Sequence, residues 1–240
     1  FALGLRGAPP AACQDTPFNC ILPWGAVQDD WLEQCRHAGV WCLPNLEGLM
    51  RGHLPQRAPQ FVQAWVEHPA VIGWALCEDP TDLVAHVPPD EVRLATRLLR
   101  DLDPAHVTTC LVNPAAESHL FRYADAVDIM TVLLRPFADG ACADLSAMWQ
   151  SVALAQRAVT EARPIWAMLE VDERGSCQAH IAAAYGAVVG GADGLFFSDW
   201  QQARRSDELW ACLCATAREL RALASALTAT DSTDQPAVSH

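Results

Sequence analysis

No lysine occurs among the 240 residues, so arginine supplies all 16 basic side chains against 29 acids, for a formal charge of −13. That absence removes imine chemistry on a lysine amine and any phosphate-binding loop that needs the same residue. The arginines form no basic stripe, so nothing in the chain matches the electrostatic footprint of a nucleic-acid binder. No apolar run approaches the roughly 20 residues of a membrane span. The eight histidines are scattered without H-x-H or H-E-x-x-H spacing, and the cysteines include no C-x-x-C, so metal-centre signatures are lacking. There is no G-x-S-x-G elbow and no G-x-G-x-x-G fingerprint after a strand. No cofactor is called for by any of these patterns.

What remains is an ordinary globular composition, 51% hydrophobic and 19% charged, in a chain of the size of one α/β barrel. Ten cysteines raise the question of a disulfide framework. Cys20, Cys42, Cys77 and Cys110 fall in or beside apolar strand-like runs, where free cysteine behaves as a small hydrophobe. Cys212 and Cys214 point in different directions on one helix and cannot bridge each other. Placement therefore argues against a framework. The chain starts at Phe1 and shows no signal peptide, as expected of a mature exported form or an excised part of a longer chain.

Short apolar runs alternate with segments of helical period from one end to the other. Strands are expected at 1–6, 19–24, 40–46, 71–78, 107–112, 126–134, 164–171 and 194–200, and helices at 27–37, 59–67, 89–102, 115–123, 145–162, 177–189 and 207–227. Repeated strand and helix means a parallel sheet, and eight strands favour a closed (β/α)8 barrel over an open sheet. Only 7–18, with three prolines, separates the first two strands, so the first helix is shortened or absent. The barrel domain is expected over 1–227, and 228–240, which lacks apolar period, as a disordered tail or linker.

The most informative stretch is HPAVIGWALCEDP, where an apolar run delivers Glu78 and Asp79 abruptly at its end. Carboxyl ends of barrel strands form the active-site rim. Glu170, in RPIWAMLEVDE, ends the seventh strand in the same way. Strands four and seven face each other across such a mouth. Retaining glycoside cleavage needs one protonated and one ionised carboxyl about 5–5.5 Å apart, so the pair fits that chemistry. Simpler readings stay open. Asp79 or Asp82 could bind loop amides, and Glu170 could be a structural acid paired with Arg135 or Arg174. Glu47 and Glu117 read as solvated charges.

Sugar sites combine aromatic faces with amide, hydroxyl or charged donors. Trp24, Asn45, Asn113 and Trp200 stand at expected strand ends, and Asp79, Arg135 and Asp199 lie within a residue or two of them. These make up the candidate substrate lining. Trp41, Trp74 and Trp166 are mid-strand and expected in the core, and Trp31, Trp65, Trp149 and Trp210 are expected to pack from helices.

The order HPAVIGWALCEDP, LLRDLDPAH, ADAVDIM, RPIWAMLE, AAYGAVVGGADGLFFSDW, LWACLCATARELRALASAL resembles bacterial glycoside hydrolase-like TIM barrels of the broad retaining clan. The likeness spans most of the chain. It implies an acid/base glutamate ending strand four, Glu78, a nucleophile ending strand seven, Glu170, and a tryptophan ending strand eight, Trp200. Two departures stand out. The clan usually has asparagine directly before the acid/base, where this chain has Cys77, and relatives with a D-E-P form at strand four often carry glutamine where this chain has Glu170. The expected function is retaining cleavage of a β-linked oligo- or polysaccharide without metal or cofactor. Alternatives are a carbohydrate-binding or scaffolding barrel without turnover, or another barrel hydrolase or lyase that uses the strand-end acids.

Overall fold

The computed structural model describes residues 1–25, 27, 29–50, 54–81, 86–114, 117–138, 141–142, 146–159 and 163–227. The expected tail at 228–240 lies outside these residues, as do Asp82 and parts of the helices expected at 27–37, 115–123 and 145–162. Eight parallel strands alternate with helices: β1 Ala2–Arg6, β2 Cys20–Leu22, β3 Trp41–Cys42, β4 Gly73–Ala75, β5 Val107–Val112, β6 Ile129–Leu134, β7 Ile165–Glu170 and β8 Gly194–Ser198. The sheet runs β3-β2-β1-β8-β7-β6-β5-β4. Its two edges are joined by bridges Cys42↔Val71 and Asn45↔Ala75. Across that seam Ala75 N donates to Pro44 O at 3.0 Å and Leu46 N to Ala75 O at 2.7 Å, so backbone groups of both edges find partners. The chain forms a (β/α)8 barrel.

The crossovers are α1 Asp29–Ala38, α2 Leu54–Trp65, α3 Pro89–Leu102, α4 Glu117–Tyr123, α5 Ser146–Ala158 and α6 Cys177–Val189. A short α7 Trp200–Ala203 follows β8, then α8 Asp207–Ala222 and a final turn, α9 Ala224–Leu227. The first crossover is reduced to the 3-10 helix Pro10–Cys13, as the prolines there imply. Start and stop chemistry is local. Pro89, Asp90 and Glu91 fill the first turn of α3, and the Ser176 and Ser206 hydroxyls accept the Ala179 and Leu209 amides at 3.2 Å. Gly39, at φ +68°, ends α1 in the left-handed conformation.

Two apolar layers result. One, between sheet and helices, contains Leu3, Leu5, Trp74, Val132 and Leu169. The other fills the barrel itself with Ala2, Cys20, Leu22, Leu43, Ala75, Leu111, Ile129, Leu133, Trp166, Met168 and Phe196. Membership alternates along each strand, as the period of two requires. Trp74 is buried as expected, its indole donating to the buried Asp103 carboxylate at 2.8 Å. Trp41 is not core: it opens β3 and is 45% exposed, because the strand begins with it rather than running through it. Trp149 is also 45% exposed on α5 instead of packed.

One disulfide corrects the expectation from cysteine placement: Cys177 of α6 is bonded to Cys212 of α8, with Cα atoms 6.0 Å apart. Its partners are 35 residues apart on neighbouring helices, a juxtaposition only the tertiary fold creates. Cys13, Cys20, Cys35, Cys42, Cys77, Cys110 and Cys214 are free and buried, as small core residues. No described helix is long and apolar enough to cross a membrane.

Candidate active site

Continuing the inward alternation one step past the barrel's apolar filling reaches its carboxyl mouth. Beyond Leu22 comes Trp24, beyond Leu43 Asn45, beyond Leu111 Asn113, beyond Leu133 Arg135, beyond Met168 Glu170 and beyond Phe196 Ser198. On β1 the same step gives Arg6 beyond Gly4. Leu5, Phe197 and Leu169 share one register level, so Arg6, Ser198 and Glu170 end their strands together. The mouth is thus polar above an apolar plug, which is how a barrel presents chemistry on a packed core.

Glu78 leaves the alternation. The chain after Ala75 stays against β5, with Leu76 N donating to Thr109 O at 2.8 Å and Leu111 N to Cys77 O at 3.1 Å, and Glu78 then turns over the mouth. One carboxylate oxygen, Oε2, accepts from Arg6 Nη2, and the other, Oε1, accepts from Asn45 Nδ2 at 3.1 Å. The side chains of Arg6 and Glu78 are 13% and 18% exposed. Burial pushes the Glu78 carboxyl above the ordinary glutamate value; Arg6 pulls the other way, and the neighbouring Glu47 charge adds to the rise.

Arg6 is held from a second side. Its guanidinium carbon lies 3.7 Å from the centroid of the Trp24 ring, a cation–π contact, while its Nε is buried without a partner among the described residues. Trp24 is nonetheless 51% exposed. Gly7, at φ +75°, passes so close beneath the indole that a β-carbon would fall 1.8 Å from Trp24 Nε1. Sequence reading passed over Arg6, although it meets the criterion that singled out Glu78, a charge at the end of a buried strand.

Arg6, Glu47, Glu78, Asp79, Leu111, Leu133 and Arg135 line a cleft of about 260 Å³. Glu47 is therefore a wall of the site and not simply a solvated charge. It opens the 3-10 helix Glu47–Leu49, and its amide donates to Asn45 Oδ1 at 2.8 Å. Asn45 is 8% exposed, with its amide group spanning Glu47 and Glu78. Arg135 connects this cleft to the seventh strand, its Nε 3.6 Å from Glu170 Oε2, while the Glu170 side chain is 42% exposed. The structural pairing expected for Glu170 is thus present with Arg135. Arg174 pairs with Asp172 instead, at 2.8 Å.

The other candidates take more local roles. Asp79 lines the cleft but its Oδ1 accepts from the Thr81 hydroxyl and from the Thr81 amide at 3.2 Å, the loop-amide role. Asp199, at φ 63°, caps α7, accepting the Gln202 amide at 3.2 Å and its side-chain nitrogen at 3.0 Å. Trp200, the first residue of α7, packs against the core, with its Nε1 buried and unpartnered among the described residues. Asn113 follows β5 half-buried and is not among the residues lining the cleft. The structure brings Glu78, Asn45, Asp79 and Arg135 to one cleft, with Glu170 beside Arg135 and Trp24 behind Arg6.

No family model matches the chain and no curated protein matches it. Solved structures do. A β-glucuronidase of an uncultured Clostridium sp. superposes with TM-score 0.63 at 10% identity, over 91% of this chain and 50% of that one. The β-glucuronidase from Ruminococcus gnavus in complex with uronic deoxynojirimycin gives 0.60 at 12% identity, over 82% and 42%. A putative β-galactosidase from Bacteroides fragilis gives 0.54 at 12% identity, over 71% and 28%. This chain therefore spans half or less of the length of each, and at these identities the likeness is one of fold.

Proposed function

We propose that the chain is a glycoside hydrolase-like barrel that cleaves a β-linked glycan with retention, Glu78 as general acid/base and Glu170 as nucleophile. The observation that carries this reading is the buried setting of Glu78 at the mouth, which raises its carboxyl and so favours the protonated form a general acid needs. In the first step Glu78 would give its proton to the glycosidic oxygen while Glu170 attacks the anomeric carbon. The Glu78 carboxylate left behind falls between the Arg6 guanidinium and the Asn45 amide, which stabilise the charge that burial alone would disfavour. That carboxylate then takes a proton from the water that hydrolyses the Glu170 ester. The exposed Trp24 offers a surface for the sugar ring, and Arg135, its Nε 3.6 Å from Glu170 Oε2, positions the nucleophile at the rim. The likeness in fold to β-glucuronidases and a putative β-galactosidase supports the coarser reading of a glycoside hydrolase-like barrel.

A second reading, a glycan-binding barrel without turnover, is favoured by Cys77. Its side chain is 3% exposed and does not line the cleft, so the amide that the resembled clan presents to the sugar is missing there, and Asn45 is already engaged by Glu78 and Glu47. Hydrolysis of a panel of aryl β-glycosides by the wild type, Glu78→Gln and Glu170→Gln, with chelator present, separates the two. The enzyme loses its rate with either substitution while sugar affinity persists; binding with no turnover in the wild type selects the second reading.

A further inference from the structure

A second cavity, of about 240 Å³, lies between the Glu47–Leu49 turn and α2, with Asn45, Glu47, Leu49, Arg57, Phe61 and Trp65 in its walls. A further cavity of about 250 Å³ on α2 shares Arg57, Phe61 and Trp65 with it. The inner end meets the cleft at one partition: Glu47 lines both spaces, and Asn45, a wall of the second, donates to Glu78 in the first at 3.1 Å. The two spaces are therefore neighbours that share the Glu47 wall.

The walls of the second cavity suit a sugar ring. Arg57, Phe61 and Trp65 recur every four residues and so form one stripe on α2. The Phe61 and Trp65 rings are 5.4 Å apart, tilted by 59°, and the Arg57 guanidinium lies 5.9 Å from the Phe61 centroid. Trp65 is anchored in the core, whereas Phe61 is only half-buried and faces the cavity. An aromatic face with Arg57 and Glu47 in the same walls presents stacking surface and hydroxyl partners together, the combination a pyranose requires. We infer that this groove is the subsite for the second sugar of the glycan, an inference that rests on the glycosidase reading of the cleft.

The test is equilibrium binding to the Glu78→Gln protein, which prevents turnover, of cellobiose, lactose, xylobiose and chitobiose, each against its own monosaccharide. At least one disaccharide should bind about tenfold more tightly than its monosaccharide. Phe61→Leu, which keeps apolar packing on α2, and Arg57→Ala, at an exposed position, should each remove most of that gain and leave monosaccharide affinity unchanged. If the gain survives both substitutions while Arg135→Ala weakens monosaccharide binding, the groove assignment is overturned and the cleft reading stands. Absence of binding by every mono- and disaccharide overturns the cleft reading and this inference with it.

Discussion

Replacing Cys177 and Cys212 together by alanine removes the one covalent link between α6 and α8. Cys177 is the first residue of α6, directly after the loop that leaves Glu170, so the bond ties down the rim beside the proposed nucleophile. With a sequence separation of 35, the chain-entropy relation −2.1 − 1.5R ln n gives about −13 cal/mol/K for the unfolded state, or about 4 kcal/mol at 25 °C. For a protein of this size a loss of that order lowers the melting temperature by about 2–4 °C per kcal/mol, hence by roughly 8–15 °C. Urea titration gives the free energy and scanning calorimetry the temperature, with the wild type in reductant as the matched control. The reduced wild type and the double variant should agree. A loss below about 1 kcal/mol in both would refute the reasoning, since it would mean that the crosslink constrains little that the fold does not already hold.

Other consequences follow from the same contacts. Glu47→Gln removes a negative charge that raises the Glu78 carboxyl, so that carboxyl should titrate lower and the basic limb of the pH–rate profile should move to lower pH. His180 is fully buried and held as the neutral ring, Nδ1 donating to Ser176 O at 2.8 Å; burial lowers its affinity for a proton below that of the unfolded chain. Unfolding then takes up a proton, so His180's contribution is intact above the ordinary histidine value of about 6.5 and is lost below it at up to about 1.4 kcal/mol per pH unit. A His180→Gln variant, followed by denaturant titration across pH 5–7, should lack that slope. Gly7→Ala combines an unfavourable φ with a collision against Trp24, and should cost about 1–3 kcal/mol while shifting the tryptophan emission.

The architecture was legible because β1, β5, β6, β7 and β8 are mostly apolar runs whose lengths match buried parallel strands. Strands β2, β3 and β4 are shorter than their apolar runs: Pro23 and Pro44 follow the first two and cannot donate to a ladder, and past Ala75 only the bonds of Leu76 N and Cys77 O to β5 continue before Glu78 turns over the mouth. Glu78 and Glu170 were visible as charges ending such runs. Arg6 is equally legible, as a charge ending the apolar run of β1. Glu47 could not be separated from an ordinary loop charge, since its place in the cleft depends on the Asn45 turn that carries it. Asp79 and Asp199 show the opposite case, strand-end acids whose oxygens are taken by neighbouring residues. The disulfide depends on the relative register of α6 and α8, which no local pattern encodes.

The most direct test of the two-carboxylate account is intact-protein and peptide mass spectrometry after incubation with activated 2-deoxy-2-fluoro-β-glycosides, which slow breakdown of a glycosyl ester. The account predicts a single sugar adduct on the peptide carrying Glu170, absent in Glu170→Gln. An adduct on Glu78, or hydrolysis of the parent aryl glycosides with no covalent species at all, would contradict it.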